Sequence, residues 1–491
     1  MSLSTACQPL GVHELSGGPF QAKWDALKTA LGAAKQRPFD QQAAVAWDAV
    51  FSPRGVGTDR HCAVCYREPE ARHLQAINQL APDEDWWCDD CLAFDQLGRD
   101  LARKHAYLSV AVGPDVVSDG PWQNLLHQLT GWWYDLHGAP PQAAGAWVYA
   151  LNTTDFLETG AHGFRFVATH TPLARPEDLG RWKEKAKTSP PPIEEEPPRP
   201  GETIRTFESL ARASHGIPRI GILRMDVDNL GRIFGSYIQQ PSLARISAAS
   251  AAMSLFFDGW LNVICAEVEA ERPHSLYVIY AGGDDLFVVG PWDLMPTLAE
   301  RIRADLATYV NHNPHITISA GITVEDAHYP LYQAADHALQ ALDDGAKGDW
   351  HTLDRQPKEK NAISLLGQVI GWEDGWPLVT AQCSAMLDLL DEGMPKALIQ
   401  TIQQVHAQYA EGQRHALRAG RLERGQLYYG RWLWMQAYSL TRLAARSQNV
   451  RDAQNRIRRL QEAILTPETV HLAGLAARWA DYLVRKRQGE E

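Results

Sequence analysis

Two adjacent carboxylates at a glycine turn are the residues of this chain best suited to chemistry. The segment Gly282-Gly283-Asp284-Asp285 lies between two apolar runs, residues 276–280 and 286–289. Glycine enters a tight turn with positive φ at no steric cost, so the pattern predicts a β-hairpin with both carboxylates near its tip. Two anionic groups held that close need a cation, and Mg²⁺ (or Mn²⁺) is commonly held by carboxylates and substrate phosphates. An ordinary surface hairpin is the alternative, because Gly and Asp are favoured turn residues.

A third carboxylate, Asp226, ends an apolar run upstream of the hairpin. The run closes with Asp226-Val227-Asp228, and the two-residue period of a strand places both carboxylates on one side. An acid-ended strand beside an acidic hairpin is the carboxylate set of a palm-type nucleotidyl transferase, so we predict Asp226, Asp284 and Asp285 as catalytic magnesium ligands. One ion would polarise the attacking hydroxyl and another would neutralise the triphosphate. The Val227 carbonyl is a further predicted magnesium ligand, whereas Asp228 either supports the site or caps the next helix.

Substrate contacts are predicted around these carboxylates. Asn229 lies where the edge of a nucleotide can be read. Basic groups for the triphosphate are expected after the last palm helix, where Lys347, Lys358 and Lys360 are candidates. A solvated surface lysine is the alternative for each of them. The predicted substrate-binding residues are Asn229, Gly282, Gly283, Lys347 and Lys360.

Two CxxC pairs predict a metal centre of a different kind. Cys62 and Cys65 form the first pair, and Cys88 and Cys91 form the second. Two such knuckles complete a tetrahedral Zn²⁺ site, and four thiolates leave no open position, so the metal is expected to be structural. A redox role or coincidental spacing is the alternative. The adjacent histidines, at 61 and 73, are expected to face solvent.

The order of predicted elements explains how the three carboxylates meet. It is β-α-β-β-α-β, the ferredoxin-like palm arrangement. Small residues at Ser319-Ala320-Gly321 are expected to let neighbouring elements approach. The predicted elements are a strand at 219–226, helices over about 242–269, strands at 275–281 and 285–290, a helix at 293–310, a strand at 315–323 and a helix at 330–343.

The whole chain predicts an α+β multidomain fold: a ferredoxin-like palm, a zinc module, a small α+β domain and an all-helical C-terminal domain. In the small domain, apolar runs at 107–112, 146–151 and 164–168 alternate with a helical stretch over about 122–136. A segment rich in Pro and Glu is predicted to be an extended, mobile linker. The predicted boundaries are an N-terminal region at 1–60, the zinc module at 61–95, the small α+β domain at 96–185, the linker at 186–203, the palm at 204–368 and the helical domain at 369–491.

Composition and charge restrict the class of protein. The chain has 491 residues, of which 45% are hydrophobic and 22% charged, as in an ordinary globular protein. The N-terminus lacks a basic segment followed by an apolar core, and the most apolar stretch, 246–265, contains Asp258 and Asn262. We therefore expect a cytoplasmic protein with no membrane partner. A net charge of −12 argues against a surface that coats nucleic acid throughout.

The C-terminal region departs from this acidic balance. Between Gly412 and Arg459 the only acidic residues are Glu423 and Asp452. Such a segment suits RNA or an acidic partner, and a solvated helical surface is the alternative. The same segment carries eleven arginines, at 414, 418, 421, 424, 431, 442, 446, 451, 456, 458 and 459.

These motifs together resemble one family, the large subunit of type III CRISPR effector complexes, and most closely its type III-A form. The resemblance implies a palm that converts ATP to cyclic oligoadenylates when target RNA is bound, with the three aspartates as metal ligands and the four cysteines as zinc ligands. It also implies partners: a small helical subunit, a guide-handle-binding subunit, guide RNA and target RNA. The matching segments are Gly221–Gly235, Tyr280–Gly290, Ser319–Ile322 and Lys360–Gly367.

Two departures from the family leave alternatives open. Members usually begin with an HD nuclease domain, but this chain has no His-Asp dipeptide, and residues 1–60 are expected to be only a remnant of the first palm. Leu342 is expected to occupy the place of a lysine late in the helix after Ser319–Ile322. The first alternative is a reduced, catalytically silent scaffold that binds guide RNA and small helical subunits. The second is a relative of stand-alone diguanylate cyclases, against which Asp285 in place of the usual glutamate speaks.

Overall fold

The protein is described here by a computed structural model, which divides into two compact units. The first unit is Met1–Arg205 with Asn229–Val263, and the second is Thr206–Asp228 with Ile264–Glu491. Residues 1–5 and 38–59 of the N-terminal region and the centre of the predicted linker lie outside the described residues. The described residues are 6–37, 60–76, 86–103, 105–113, 120–141, 145–188, 197–238, 240–354, 356–423, 426–447, 450–464, 466 and 468–485.

The first unit contains the cysteine module and a small α+β layer. Helix α1 (Gly17–Gln36) precedes the module, which consists of β1 (Leu74–Ala76), β2 (Trp86–Cys88) and helix α2 (Asp89–Ala102). A four-stranded sheet follows, in the order β4-β3-β5-β6. Its elements are β3 (Tyr107–Ala111), helix α3 (Pro121–Thr130), β4 (Trp133–His137), β5 (Ala146–Leu151) and β6 (Gly163–Arg165), followed by helix α4 (Pro176–Thr188).

The helical stretch predicted over about 122–136 is wrong in its second half. Helix α3 ends at Gly131, which has a left-handed φ of +76° and donates its N–H to His127. Trp133–His137 form β4, which pairs with β3 along its whole length. The missed signal was the glycine, because glycine just after a helix commonly ends it in the left-handed conformation.

The predicted linker, 186–203, is structured at both ends. Helix α4 continues to Thr188. On the other side, Gly201 donates its N–H to the carbonyl of Ala174, and Ala174 donates to Thr203. Arg205 has no exposed side-chain surface and pairs with Asp178 at 3.1 Å. The prediction of an extended, mobile segment is therefore wrong for these residues, because composition did not reveal their backbone partners in the first unit.

The chain enters the second unit with helix α5 (Phe207–Arg212) and strand β7 (Ile220–Val227), and then returns to the first unit at Asn229. Helix α6 (Leu243–Ser254) and helix α7 (Leu261–Val268) are joined by a π-helical segment, Leu255–Trp260. The stretch Leu243–Val268 is long and apolar enough to cross a membrane by composition, with a mean hydropathy of 1.3, but 39% of that window is buried. A buried core helix meets the same criterion. Within the first unit, the Asn262 amide donates to the Val167 carbonyl at 2.9 Å.

The second unit contains a six-stranded sheet in the order β14-β13-β10-β7-β9-β8. The four strands β10-β7-β9-β8 are antiparallel neighbours, as the ferredoxin-like prediction requires. A parallel strand and its hairpin partner extend the sheet beyond β10. Its remaining elements are β8 (Tyr277–Gly282), β9 (Asp285–Pro291), helix α8 (Leu294–Tyr309), β10 (Ile318–Glu325), helix α9 (Leu331–Gln340), a π-helical turn (Ala341–Ala346), β11 (Asp349–His351), β12 (Pro357–Glu359), β13 (Ala362–Leu365) and β14 (Gln368–Gly371).

Strand β7 is the centre of this sheet, which explains why its sequence is apolar on both faces. Its side chains pack with helix α9 on one face, where Ile222 contacts a cluster that includes Ala334 and Ala338. On the other face, a Cβ added to Gly221 would lie 2.7 Å from the Trp292 Cα. Gly321 on β10 is equally crowded, since an added Cβ would lie 2.5 Å from the Leu342 backbone nitrogen. The close packing predicted at 319–321 is confirmed at this glycine.

The C-terminal part of the second unit is helical, as predicted. Its helices bury apolar residues such as Leu398, Leu440 and Leu475. Their bounds are α10 (Trp376–Asp391), α11 (Ala397–Arg418), α12 (Trp432–Arg446), α13 (Ala453–Ile464) and α14 (Val470–Val484).

Candidate active site

The acidic hairpin and the acidic strand end lie side by side in the second unit. Asp226 on β7 is the direct cross-strand partner of Asp285 on β9. Directly opposite residues on an antiparallel pair point their side chains to the same face of the sheet. The hairpin itself is confirmed: Gly282 pairs with Asp285, and the connecting residues are Gly283 and Asp284. Gly283 has a φ of +69°, so this is the glycine that the turn requires.

Asp284 is tied to the strand end by its backbone. Its carbonyl accepts the Val227 N–H at 3.0 Å, and its own N–H donates to Gly282 at 2.9 Å. The side chain is half-buried. Burial raises the pKa of Asp284, and the charge of Asp285 raises it further. Both effects indicate that the fully ionised pair is costly without a cation.

Two residues that the sequence analysis did not select complete the surroundings of Asp285. The Tyr280 hydroxyl donates to the Asp285 carboxylate at 3.0 Å, and burial raises the pKa of Tyr280. The Arg224 guanidinium lies 4.9 Å from the centre of the Phe287 ring and 5.8 Å from that of Tyr280. The two-residue period of strands was the available signal, because it puts these residues on the face that carries Asp226 and Asp285.

Lys347 contacts the carboxylate of Asp226. The lysine follows the π-helical turn after α9, and both side chains are about one-fifth exposed, at 21% and 20%. Burial lowers the pKa of Lys347 to about 8, and the charge of Lys360 contributes to the same shift. The neighbouring carboxylate favours the charged ammonium. Leu342, which was expected to take the place of a lysine, is buried. The cation at the carboxylates is supplied by Lys347 instead.

Asp228 is fully buried and forms three side-chain hydrogen bonds. It accepts from the Thr317 hydroxyl at 2.7 Å, from the Ser319 hydroxyl at 2.8 Å and from the Asn361 N–H at 3.0 Å. Burial raises the pKa of Asp228, while these hydrogen bonds oppose the shift. Asp228 does not cap the next helical turn, Leu230–Arg232, whose N-cap residue is Asn229.

The predicted substrate residues are placed as follows. Gly282 and Gly283 belong to the hairpin that carries the carboxylates. Lys360 lies in a left-handed turn with a φ of +63°, and its carbonyl accepts the Trp350 indole N–H. Asn229 has a φ of +60° and falls in the first unit, so its role at a nucleotide stays a prediction. Lys358 is an exposed residue of β12.

The distances between potential ligand atoms show which groups of side chains fit a metal ion in this conformation. Among the residues that the structure describes, one group of His, Cys, Asp or Glu has three or more ligand atoms within 4.8 Å of one another, and it is the cysteine group. The carboxylate oxygens of Asp226, Asp284 and Asp285 do not all lie within this distance of one another. Their chemistry still suits Mg²⁺, which takes one or two carboxylates and completes its shell with water and phosphate oxygens. The magnesium roles of these residues and of the Val227 carbonyl stay predictions.

The cysteine group fits zinc. All four sulfur atoms of Cys62, Cys65, Cys88 and Cys91 lie within 4.8 Å of one another. The Cys65 and Cys88 sulfurs are 3.7 Å apart, close to the roughly 3.8 Å that a tetrahedral site with Zn–S bonds of about 2.3 Å requires. The Cys88 N–H donates to the Cys62 sulfur at 3.3 Å, as thiolate ligands commonly accept.

Local structure explains how the two knuckles meet. Strands β1 and β2 pair so that Cys88 ends β2 and stands at the N-terminus of helix α2. The first knuckle is held to this strand because Ala63 donates its N–H to the Trp86 carbonyl at 2.8 Å. The two nearby histidines are exposed, as expected, and His73 bonds to Asp89 instead of the sulfur cluster.

Comparisons with known proteins identify the palm. Residues 219–363 match the family described as Cas10/Cmr2, second palm domain. The chain is 34% identical over 183 residues to the CRISPR system single-strand-specific deoxyribonuclease Cas10/Csm1 (subtype III-A) of Methanocaldococcus jannaschii, covering 35% of this chain and 23% of that protein. It is 36% identical over 153 residues to the same kind of protein from Thermococcus onnurineus, covering 28% of this chain and 19% of that protein.

Solved structures extend the likeness in fold. The Csm1–Csm4 cassette in complex with cA3 superposes with a TM-score of 0.58 at 18% identity, covering 97% of this chain and 56% of that chain. The same cassette in complex with one ATP gives a TM-score of 0.59. The sequence matches span less than a quarter of either curated relative. The chain is thus similar to the type III-A Cas10/Csm1 large subunits over about a third of its length, and its residues 219–363 match the second palm domain of Cas10/Cmr2.

Proposed function

We propose that this chain is a subunit of a type III CRISPR RNA-guided effector complex and that its palm joins ATP into cyclic oligoadenylates when target RNA binds. In this reaction a 3′-hydroxyl attacks the α-phosphorus of ATP, a 3′–5′ phosphodiester forms and pyrophosphate leaves. The reaction uses Mg²⁺ (or Mn²⁺), and the zinc centre is structural. We propose a cytoplasmic location, since the effector acts on RNA.

One observation carries the proposal: Asp226 and Asp285 are cross-strand partners, so their two carboxylates share one face at the end of the ladder. Two carboxylates on one face favour a cation between them. The metal ion of a metal-bound triphosphate supplies that positive charge. Asp226 and Asp285 would hold the metal, and Asp284 at the hairpin tip would reach the same ion. Lys347 and Lys360 would bind the phosphates once the metal replaces Lys347 at Asp226.

The test uses the chain assembled with its partner subunits and guide RNA. Incubation with ATP, Mg²⁺ and complementary RNA is expected to give oligoadenylates that chromatography and mass spectrometry resolve. The double variant Asp284→Ala, Asp285→Ala is expected to give none, while Glu271→Gln, which removes an exposed acid elsewhere in the second unit, is expected to match the wild type. Product that is independent of RNA, or undiminished in the double variant, contradicts the proposal. GTP in place of ATP tests the cyclic-dinucleotide alternative.

We further propose that the outer face of α12 binds RNA. The chain also assembles, in this proposal, with the family's small helical and guide-handle-binding subunits. Helix α12 contains no acidic residue. On its outer face Trp434 and Tyr438 are 56% and 60% exposed, one helical turn apart. Arg431 lies 5.5 Å from the centre of the Trp434 ring, and Arg442 lies over the Tyr438 ring and donates to its hydroxyl. Exposed aromatic rings interleaved with arginines are typical of surfaces on which single-stranded RNA stacks.

A catalytically silent scaffold is the second candidate, and the contact between Lys347 and Asp226 favours it. A lysine that neutralises Asp226 permanently would leave no ligand for a metal. Titration with Mn²⁺, observed by electron paramagnetic resonance, separates the two. Binding that disappears in Asp226→Asn supports the enzyme, whereas wild-type protein that binds no Mn²⁺ in the presence of ATP supports the scaffold.

A further inference from the structure

Asp228 joins three separate segments of the palm. Its side chain is inaccessible to solvent, and its backbone N–H donates to the Thr317 carbonyl at 2.8 Å. One carboxylate oxygen accepts from Ser319, and the other accepts from both Thr317 and the backbone N–H of Asn361. The end of β7, the start of β10 and the turn before β13 are therefore fixed to a single carboxylate.

The turn that Asp228 holds has an unfavourable backbone. Lys360 and Asn361 both have left-handed conformations, with φ values of +63° and +47°. This conformation is strained for lysine, whereas asparagine tolerates it better than other residues with a Cβ. Two hydrogen bonds offset that strain: Asn361 donates to Asp228, and the Trp350 indole donates to the Lys360 carbonyl at 2.8 Å. Removal of the first bond is therefore expected to let the turn relax.

This turn determines where the Lys360 ammonium lies. Asp349 of β11 pairs with Glu359 of β12, so Lys347, two residues before Asp349, and Lys360, directly after Glu359, lie at the same end of this strand pair. Lys347 in turn contacts Asp226. Two like charges beside the carboxylate pair repel one another, and a polyanion that bridges them removes this repulsion.

We propose that Asp228 is a positioning residue that fixes the Lys360–Asn361 turn, so that Lys360 and Lys347 form a paired subsite for the triphosphate of a nucleotide. The inference rests on the proposed function for the identity of that ligand. Asp228 itself is buried beneath the site and does not contact the nucleotide. Its effect on binding passes through Lys360.

Isothermal titration with inorganic tripolyphosphate and with ATP tests this in the full chain. Asp228→Ala removes the acceptor of the Asn361 N–H and is expected to weaken tripolyphosphate binding about tenfold or more, the effect of one charged hydrogen bond. Asp228→Asn keeps an oxygen for that N–H, and the Ser319 hydroxyl can rotate to accept from the new amide, so we expect affinity within about threefold of wild type. Thr317→Val keeps the carboxylate but removes one of its anchors, and is expected to fall between the two. Thr317→Val also provides the test if Asp228→Ala does not fold.

The decisive measurement is the coupling between Asp228 and Lys360. If Asp228 acts through Lys360, the variant Asp228→Ala, Lys360→Ala binds tripolyphosphate no more weakly than Lys360→Ala alone. Additive losses, or an Asp228→Ala variant that binds like wild type, overturn the inference while leaving the proposed function intact. Wild-type protein that binds neither tripolyphosphate nor ATP overturns both. In Asp228→Ala, the affinity for Mn²⁺ without nucleotide is expected to stay within about threefold of wild type, since the β-ladders still hold Asp226.

Discussion

Asp226 and Asp285 face one another across the β7–β9 ladder, although 59 positions separate them in the sequence. The hairpin brings Asp285 to the strand end, and the shared register gives both side chains the same face of the sheet. Local structure alone does not bring the two residues together, because they lie on different strands. The arrangement creates a local excess of negative charge, and its consequences can be measured.

The first prediction concerns this pair. Asp285→Asn keeps the shape and an acceptor for the Tyr280 hydroxyl but removes one charge, so we expect Mn²⁺ affinity to fall at least about tenfold, as loss of metal-site partners commonly does. Paramagnetic resonance titration measures it, with Glu271→Gln as the control for overall charge. Unchanged affinity would mean that the metal, if bound, lies elsewhere.

Removal of Lys347 is expected to change two affinities in opposite directions. In Lys347→Ala the Asp226 carboxylate loses its resident cation, so Mn²⁺ binds more tightly in the absence of nucleotide. Tripolyphosphate binds more weakly, because one of its two cations is gone. The same titrations with Lys183→Ala, an exposed lysine of α4 in the first unit, are expected to match wild type. Parallel changes in the two affinities would contradict the role assigned to Lys347.

The cysteine module is expected to hold one zinc ion per chain. Metal analysis by atomic spectroscopy measures the stoichiometry, and Cys88→Ser is expected to abolish it and lower the melting temperature, because structural zinc supplies folding free energy. Cys7→Ser is the matched control, since Cys7 is an exposed cysteine of the same unit. Full zinc content in Cys88→Ser would exclude a four-thiolate site.

The outer face of α12 is expected to bind single-stranded RNA. Trp434→Ala with Tyr438→Ala is expected to weaken binding of an unstructured RNA by about 1–3 kcal/mol for each stacked base that is lost. Tyr332→Ala, which removes a tyrosine that is 70% exposed on the palm, serves as the control. Fluorescence anisotropy at two salt concentrations separates stacking from charge, because only the charge contribution depends strongly on salt. An equal loss of RNA affinity in Tyr332→Ala and in the double variant would argue against a specific RNA-binding face.

His406 makes the helical region sensitive to acid. Its ring packs against Gly474 of α14, where an added Cβ would lie 2.2 Å from the ring. Burial lowers the pKa of His406 below its usual 6.5, so the folded chain keeps the ring neutral while the unfolded chain takes up a proton. Stability from this residue is therefore present above about pH 6.5 and is lost as the pH falls below it. Melting curves at pH 7.5 and 5.5 are expected to differ less in His406→Gln than in wild type.

Much of the candidate site follows from local patterns. The apolar run of β7, the glycine turn at 282–283 and the two CxxC pairs each depend on neighbours in the chain, and all three form as predicted. The helix predicted through Leu136 failed because a glycine signal at 131 was overlooked. The linker failed because its partners, near Ala174, lie outside any local window.

By itself the sequence determined which groups are present: three carboxylates at strand and hairpin ends, four thiolates in two knuckles and a palm-like order of elements. Only the tertiary structure decided how they are used. Lys347 reaches Asp226, and Asp228 binds Asn361 at a separation of 133 positions. Such contacts depend on the register of β7, β9 and β10, and register is set by the packing of whole strands against both layers of helices instead of by any single motif.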